Sequence, residues 1–211
     1  VSLTGGDPVR LTREKGSHGV TVAPGASHFL DTYSTAMTPP RQDLYNTDGS
    51  RVAALAENSV AELESYRLSP VEFLTVPGAD GTMLHASLIR PRDFDPARKY
   101  PVIVYLYGGP HVQLVRDQWQ GTNFLWNQMM AQKGFIIFTV DNRGSSGRGH
   151  AFESWILRHF GEVELADQLA GVDWLKRQPY VDGERVGIWG WSYGGYMTCL
   201  AMLRAGDTFR A

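Results

Sequence analysis

Hydrophobic and polar positions alternate in short stretches through the first part of the chain and take up a helical period only later. Up to about residue 57, β-prone runs at Val9–Thr12, Gly19–Ala23, His28–Ser34, Asp43–Asn46 and Arg51–Leu55 are separated by turn residues. Pro24-Gly25 and Asp48-Gly49 mark two of these turns, and the second is a strong hairpin signal. So small a set of strands cannot bury a core alone, which predicts one blade, and the edge of another, of a larger β structure. One blade contains no internal repeat, so periodicity does not establish a propeller.

From about residue 70 strands alternate with helices, the pattern of an α/β sheet. Val71–Val76 and Met83–Arg90 flank Gly78-Ala79-Asp80-Gly81 and predict an antiparallel hairpin. Pro101–Tyr107 and Phe135–Val140 are nearly continuous apolar runs, as expected of strands covered on both faces. Phe124–Gln132 between them has helical texture. In Glu162–Gln178 the residues Leu165, Leu169, Val172 and Leu175 follow a helical spacing, with acids at the start and Lys176-Arg177 at the end to complement the macrodipole. Pro179 stops this helix, which supplies the crossover that parallel strands require. Val186–Trp189 then reads as a short buried strand and Tyr193–Arg204 as a helix.

Composition narrows the picture without deciding it. The 211 residues are 43% hydrophobic and 20% charged, with a net charge of −2, which gives no reason to expect nucleic acid or an anionic membrane as partner. The longest apolar runs, Val102–Tyr107 and Phe135–Phe138, are strand-length and too short to span a bilayer. Cys199 is the one cysteine, so no internal disulfide forms, and its simplest reading is a small buried residue. The histidines at 18, 28, 85, 111, 150 and 159 have no ligand spacing, so neither a metal nor another cofactor is expected.

The chemistry is carried by Gly190-Trp191-Ser192-Tyr193-Gly194-Gly195, which contains G-x-S-x-G. A serine at a sharp strand-to-helix turn holds a strained backbone, and side chains two residues to either side would collide there; glycines at 190 and 194 remove the collision. The required strand precedes it and the required helix follows, and that helix's N-terminal N–H groups favour an oxyanion. An ordinary tight turn could also hold glycine and serine, but the surrounding elements match a nucleophile. Tyr105-Leu106-Tyr107-Gly108-Gly109-Pro110 ends the preceding parallel strand, where such folds place a second oxyanion donor. Tyr107 reads equally as a phenol donor and as a core tyrosine at a strand end. Asp141-Asn142-Arg143-Gly144-Ser145-Ser146-Gly147-Arg148-Gly149 lacks both phosphate-binding patterns and reads as a flexible loop beside the site, anchored by its arginines.

With these residues in hand, the chain resembles the prolyl oligopeptidase family, most closely its dipeptidyl peptidase IV branch and especially the bacterial members. Arg13-Glu14-Lys15-Gly16 looks like that branch's last propeller blade, and the three motifs at 107–110, 141–145 and 190–195 follow in family order. Trp191 before the serine is typical of the dipeptidyl branch. The fold implied is α/β: the N-terminal half of an α/β-hydrolase domain (residues 58–211) preceded by the last strands of a β-propeller (residues 1–57). The resemblance implies that Ser192 attacks the carbonyl while the Tyr107 hydroxyl and the Tyr193 N–H hold the oxyanion. It also makes the Tyr193 ring one wall of the pocket for proline or alanine, with Tyr107 and Trp191 as further substrate contacts. The expected reaction is release of Xaa-Pro or Xaa-Ala dipeptides from peptides with a free N-terminus. A homodimer and, for a bacterial member, a periplasmic location are implied with it, with the cytoplasm as the alternative location.

The chain departs from the family in one respect. The triad order is serine, acid, histidine, yet every histidine precedes Ser192 and Asp207 is the only acid among the 19 residues after it. The triad acid and base, and the glutamate pair that holds the substrate ammonium, are expected outside this chain, which reads as a fragment. Loss of the base costs about 10⁶ in kcat in a comparable hydrolase, so the isolated chain is expected to be nearly inert. The competing readings are a related oligopeptidase, acylaminoacyl peptidase or esterase, or a non-catalytic relative acting as a binding module.

Overall fold

In a computed structural model, which describes residues 5–210, the chain forms two sheets in two compact units. The first unit reaches to Tyr66 and takes in Arg116–Thr122; the second holds Arg67–Val115 and the chain from Asn123 onward.

The first unit is a four-stranded antiparallel meander of β1 (Ser17–Val22), β2 (His28–Ser34), β3 (Arg41–Asn46) and β4 (Arg51–Ala56), followed by a single helical turn, α1 (Glu62–Ser65). β2 buries Phe29, Asp31 and Tyr33 at a period of two, so its inward face carries an acid between two aromatics. Asp31 pairs in register with Asp43 of β3, and each of the two buried acids has its own side-chain partners. His18 Nδ1 lies 2.7 Å from Asp31, while Arg51 and Arg41 hold Asp43 at 2.6 and 3.0 Å. Burial alone would raise the Asp43 carboxyl, but the hydrogen bonds from Arg51 and Arg41 outweigh it and hold it below the usual range. Val9–Thr12, expected as a strand, pairs with nothing in a ladder and leaves Val9 exposed. Alternation alone does not make a strand where no partner lies alongside.

The second unit is a five-stranded sheet in the order β5-β6-β8-β7-β9, built from β5 (Val71–Pro77), β6 (Met83–Ile89), β7 (Tyr100–Tyr105), β8 (Ile136–Asp141) and β9 (Val181–Trp189). β5 and β6 form the expected hairpin, and β6 runs antiparallel to β8. β7 lies parallel to both β8 and β9. The parallel connections pass through α2 (Thr122–Gln132) and, after the short turns α3 (His150–Glu153) and Ser154–Ile156, through α4 (Val163–Lys176). Every residue of β8 is buried, Thr139 and Asp141 included, which is why its sequence shows no polar–apolar alternation. β9 begins five residues earlier than the apolar run suggests: Val181 pairs with Tyr100 and Val186 with Val102, and the polar residues Asp182, Glu184 and Arg185 lie in the register shift between them.

The last helix, α5 (Tyr193–Arg204), turns Gly194, Met197 and Ala201 into the core, a spacing of three and four residues that keeps one face inward. Cys199 lies off that face and is exposed, which corrects its reading as a buried residue. α4 departs from expectation more sharply. Besides Leu165, Val172 and Leu175 it buries Glu164, Asp167, Gln168 and Gly171, so a polar face is enclosed as fully as the apolar one.

Candidate active site

Ser192 sits between the end of β9 and the start of α5, with φ +57° and ψ −123°. Non-glycine residues reach positive φ at a cost, so the turn is strained where the hydroxyl is presented. The serine makes no capping hydrogen bond to its own helix. The flanking glycines are required by close approach. A Cβ on Gly190 would clash with the carbonyl oxygen of Leu106 and lie 2.8 Å from the Gly194 carbonyl carbon; one on Gly194 would clash with the same Leu106 oxygen. The elbow is therefore wedged against the end of β7 as well as against itself, and Leu106 donates its N–H to Trp189 O at 3.1 Å to keep the two strand ends together.

That wedge brings Tyr107 to the elbow. The rings of Tyr107 and Tyr193 lie 6.0 Å apart, tilted at 34°, and both side chains are partly buried. Gly109 allows this approach, because a Cβ there would lie 2.5 Å from Tyr193 Cγ. Trp191, in contrast, is two-thirds exposed beside the serine. Tyr193 is flanked edge-on by Phe160 and Tyr196, with centroids at 6.0 and 5.2 Å. Its hydroxyl donates to Glu164 Oε1 at 2.6 Å. Burial, followed by that bond to the carboxylate, pushes its phenol well above the ordinary value, so it stays protonated.

The loop after β8 is buried as far as Ser145 and opens only at Gly147 and Gly149, so its first part is enclosed rather than flexible as read from the sequence. Asp141, Asn142, Arg143 and Ser145 are all enclosed. Asn142 donates to the carbonyl of Gly108 at 2.9 Å, and its own side-chain oxygen accepts from Gln168 at 2.9 Å. Arg143 is clasped by Asp167 through its Nε and Nη2, at 2.9 and 2.8 Å, and reaches Asp80 at 2.6 Å. Asp141 accepts the N–H groups of Leu114 and Val115, each at 2.9 Å. The anchoring by arginine extends to Arg148, which donates to Met83 O at 2.7 Å and lies over the Phe152 ring.

Sequence reasoning missed the buried face of α4. Glu164 reaches the elbow, Asp167 the arginine of the loop, and Gln168 the asparagine that holds the Tyr107 strand end. The acids near the helix start read as partners of the macrodipole. The available signal was their spacing: 164, 167, 168 and 171 share one face of a helix.

Residues 122–211 match the sequence profile of the prolyl oligopeptidase family. Mouse dipeptidyl peptidase 8 is 33% identical over 215 residues, covering 97% of this chain and 24% of the relative, so the chain spans about a quarter of the length of that curated relative. Among solved structures, Porphyromonas gingivalis dipeptidyl peptidase 4 superposes with a TM-score of 0.88 at 32% identity, over 95% of this chain and 29% of that one. A Bacteroides ovatus protein assigned as a dipeptidyl aminopeptidase IV gives 0.85 at 44% identity, over 93% and 28% respectively. The fold is that of part of an α/β-hydrolase domain, preceded in the chain by strands of a β-propeller.

Proposed function

We propose that the chain, whose residues 122–211 match the prolyl oligopeptidase family, is the nucleophile-bearing part of a serine exopeptidase. The reaction is release of Xaa-Pro or Xaa-Ala dipeptides from peptide N-termini through an acyl-enzyme on Ser192. The observation that carries this reading is the strained serine at the head of α5, wedged by two obligatory glycines against the strand end that bears Tyr107. The dipeptidyl peptidase names of its relatives in mouse and Porphyromonas gingivalis support the substrate class.

In this mechanism the Ser192 hydroxyl attacks the peptide carbonyl as its proton passes to a histidine base supplied by the full-length protein outside these residues. The tetrahedral oxygen accepts a hydrogen bond from the Tyr193 N–H, one of the first N–H groups of α5, which have no partner within the helix. The Tyr107 hydroxyl is the second donor. The amine of the shortened peptide leaves, and water then releases the dipeptide from the serine ester. The Tyr193 ring and Trp191 contribute to the substrate pocket. On the same resemblance the full-length protein is a periplasmic homodimer, expected at twice the chain mass by light scattering.

The test is intact-mass analysis of the full-length protein after exposure to a fluorophosphonate, alongside turnover of Gly-Pro p-nitroanilide. One adduct, located on Ser192 and absent in Ser192→Ala, is expected together with a loss of about 10⁶ in kcat for that variant. A full-length protein that takes no adduct and cleaves no substrate sinks the proposal. Tyr107→Phe should lower kcat by roughly 10²–10³ with labelling retained at a reduced rate; an unchanged kcat removes Tyr107 from the oxyanion site.

A further inference from the structure

We infer that Glu164 is a positioning residue for substrate selection: its buried carboxylate fixes the Tyr193 ring that walls the pocket. The inference rests on the peptidase reading above and adds a residue that no motif contains. Glu164 is fully buried in the first turn of α4. Its Oε1 accepts the Tyr193 hydroxyl at 2.6 Å and its Oε2 accepts the N–H of Gly161 at 2.9 Å. Among the described residues it has no cationic partner within ion-pair distance. A buried carboxylate held only by neutral donors is expensive to desolvate, and a leucine of similar reach would pack there without that cost. What leucine could not do is hold two groups at fixed distance.

The two groups matter because of where they lead. Tyr193 follows the nucleophile directly, so its backbone is set by the elbow while its ring is free to turn about two side-chain bonds. The Glu164 bond fixes the far end of that ring. The second bond, to Gly161, fixes the residue after Phe160, whose ring packs edge-on against Tyr193. The ring also meets Gly109, which offers no Cβ, the tilted ring of Tyr107 and the edge-on ring of Tyr196. One carboxylate therefore sets both the wall and the aromatic ring that backs it. Without it the ring is held by packing alone, and the pocket loses its shape while Ser192 keeps its own.

This separates pocket from nucleophile, and the experiment reads both in the full-length enzyme. Glu164→Leu should lower kcat/KM for Gly-Pro p-nitroanilide by roughly 10–100-fold, mostly through KM, as expected when a positioning contact is lost. The ratio of Gly-Pro to Gly-Ala turnover should shift at least about threefold, since a wall that moves changes the fit of the ring more than that of a methyl. Labelling of Ser192 by a small fluorophosphonate, which does not fill the pocket, should stay within about twofold of wild type. Glu164→Gln should recover most of the loss. Its oxygen can take the Gly161 N–H and its amide can donate to the Tyr193 hydroxyl oxygen. Tyr193→Phe keeps the fold with one atom fewer and should shift KM in the same direction, so it carries the test if the leucine variant does not fold. An unchanged KM and substrate ratio in Glu164→Leu or Tyr193→Phe overturns the inference. So does a parallel fall in labelling and turnover, which is the mark of a merely structural role. A wild type that neither labels nor cleaves overturns the peptidase reading and this inference with it, whereas an active wild type with indifferent variants overturns the inference alone.

Discussion

Two carboxylates three residues apart on α4, Glu164 and Asp167, are both fully buried and do opposite things. Asp167 answers a buried cation. Arg143 meets it with two side-chain donors and its backbone N–H at 3.0 Å, and the Ala79 N–H closes the set at 3.1 Å. Glu164 has no cation within ion-pair distance among the described residues and is held by a phenol and one N–H. The first arrangement joins the loop after β8 to the β5–β6 hairpin through a charge that cannot be removed without stranding its partner. The second can be neutralised with both bonds kept in altered form. Buried charge alone therefore does not say what a residue is for; the nature of its partners does.

The sharpest way to break this contrast is Asp167→Ala. Removing one member of a buried ion pair leaves the other uncompensated, at a cost of about 3–5 kcal/mol. Thermal unfolding of the full-length protein should show the hydrolase transition markedly lowered, with turnover falling only as folded protein is lost. A variant of near wild-type stability would place the Arg143 charge on Asp80 instead and dissolve the distinction. Asp167→Asn should be nearly as costly, because an amide cannot accept at both oxygens as the carboxylate does.

The Glu164 side of the comparison is sharpened by alkali. Folding raises the Tyr193 phenol, chiefly by burial and then by its bond to Glu164, so the folded state holds that proton after the unfolded chain has released it. A group raised on folding contributes fully below its unfolded value and loses its contribution as pH rises above it. Stability should therefore begin to fall above pH about 10, the ordinary phenol value. Melting temperatures recorded from neutral pH up through that value should fall less steeply in Tyr193→Phe. The slope does not vanish, because Tyr33, Tyr45 and Tyr105 are raised as well. Equal slopes in the two proteins would mean that the phenol is not held as the geometry indicates.

Much of this architecture is legible in the order of residues alone. His28–Ser34 and Tyr193–Arg204 have the bounds that alternation and the elbow motif assign them, because each is specified locally. The glycines at 190 and 194 are legible for the same reason. Val9–Thr12 misleads because pairing depends on a partner distant in sequence. The polar face of α4 escapes notice because amphipathic reasoning assumes that polar residues face water. Here Asp167 and Gln168 instead face Arg143 and Asn142, whose burial no local pattern announces. The first part of the loop, 141–145, misleads likewise: Gly144 suggests freedom, while Asn142 and Arg143 are the residues that remove it.

The smallest expected effect is at Asp80, and it tests how far the Arg143 charge depends on Asp167. Asp80 lies 2.6 Å from Arg143 Nη1, shorter than either side-chain bond from Asp167, so distance alone would make it the stronger partner. Its side chain is 39% exposed, however, whereas that of Asp167 is wholly buried. Water screens the first pair and not the second. The Asp80 carboxyl is lowered chiefly by the Thr82 N–H, which closes the hairpin turn at 2.9 Å, and Arg143 contributes less. Asp80→Asn keeps an oxygen for that N–H and gives up only the charge. The loss should be under about 1 kcal/mol, read as a small shift in the hydrolase transition that shrinks further in high salt. A loss as large as that of Asp167→Ala would make Arg143 the centre of a balanced triad, with the exposed acid counting as much as the buried one.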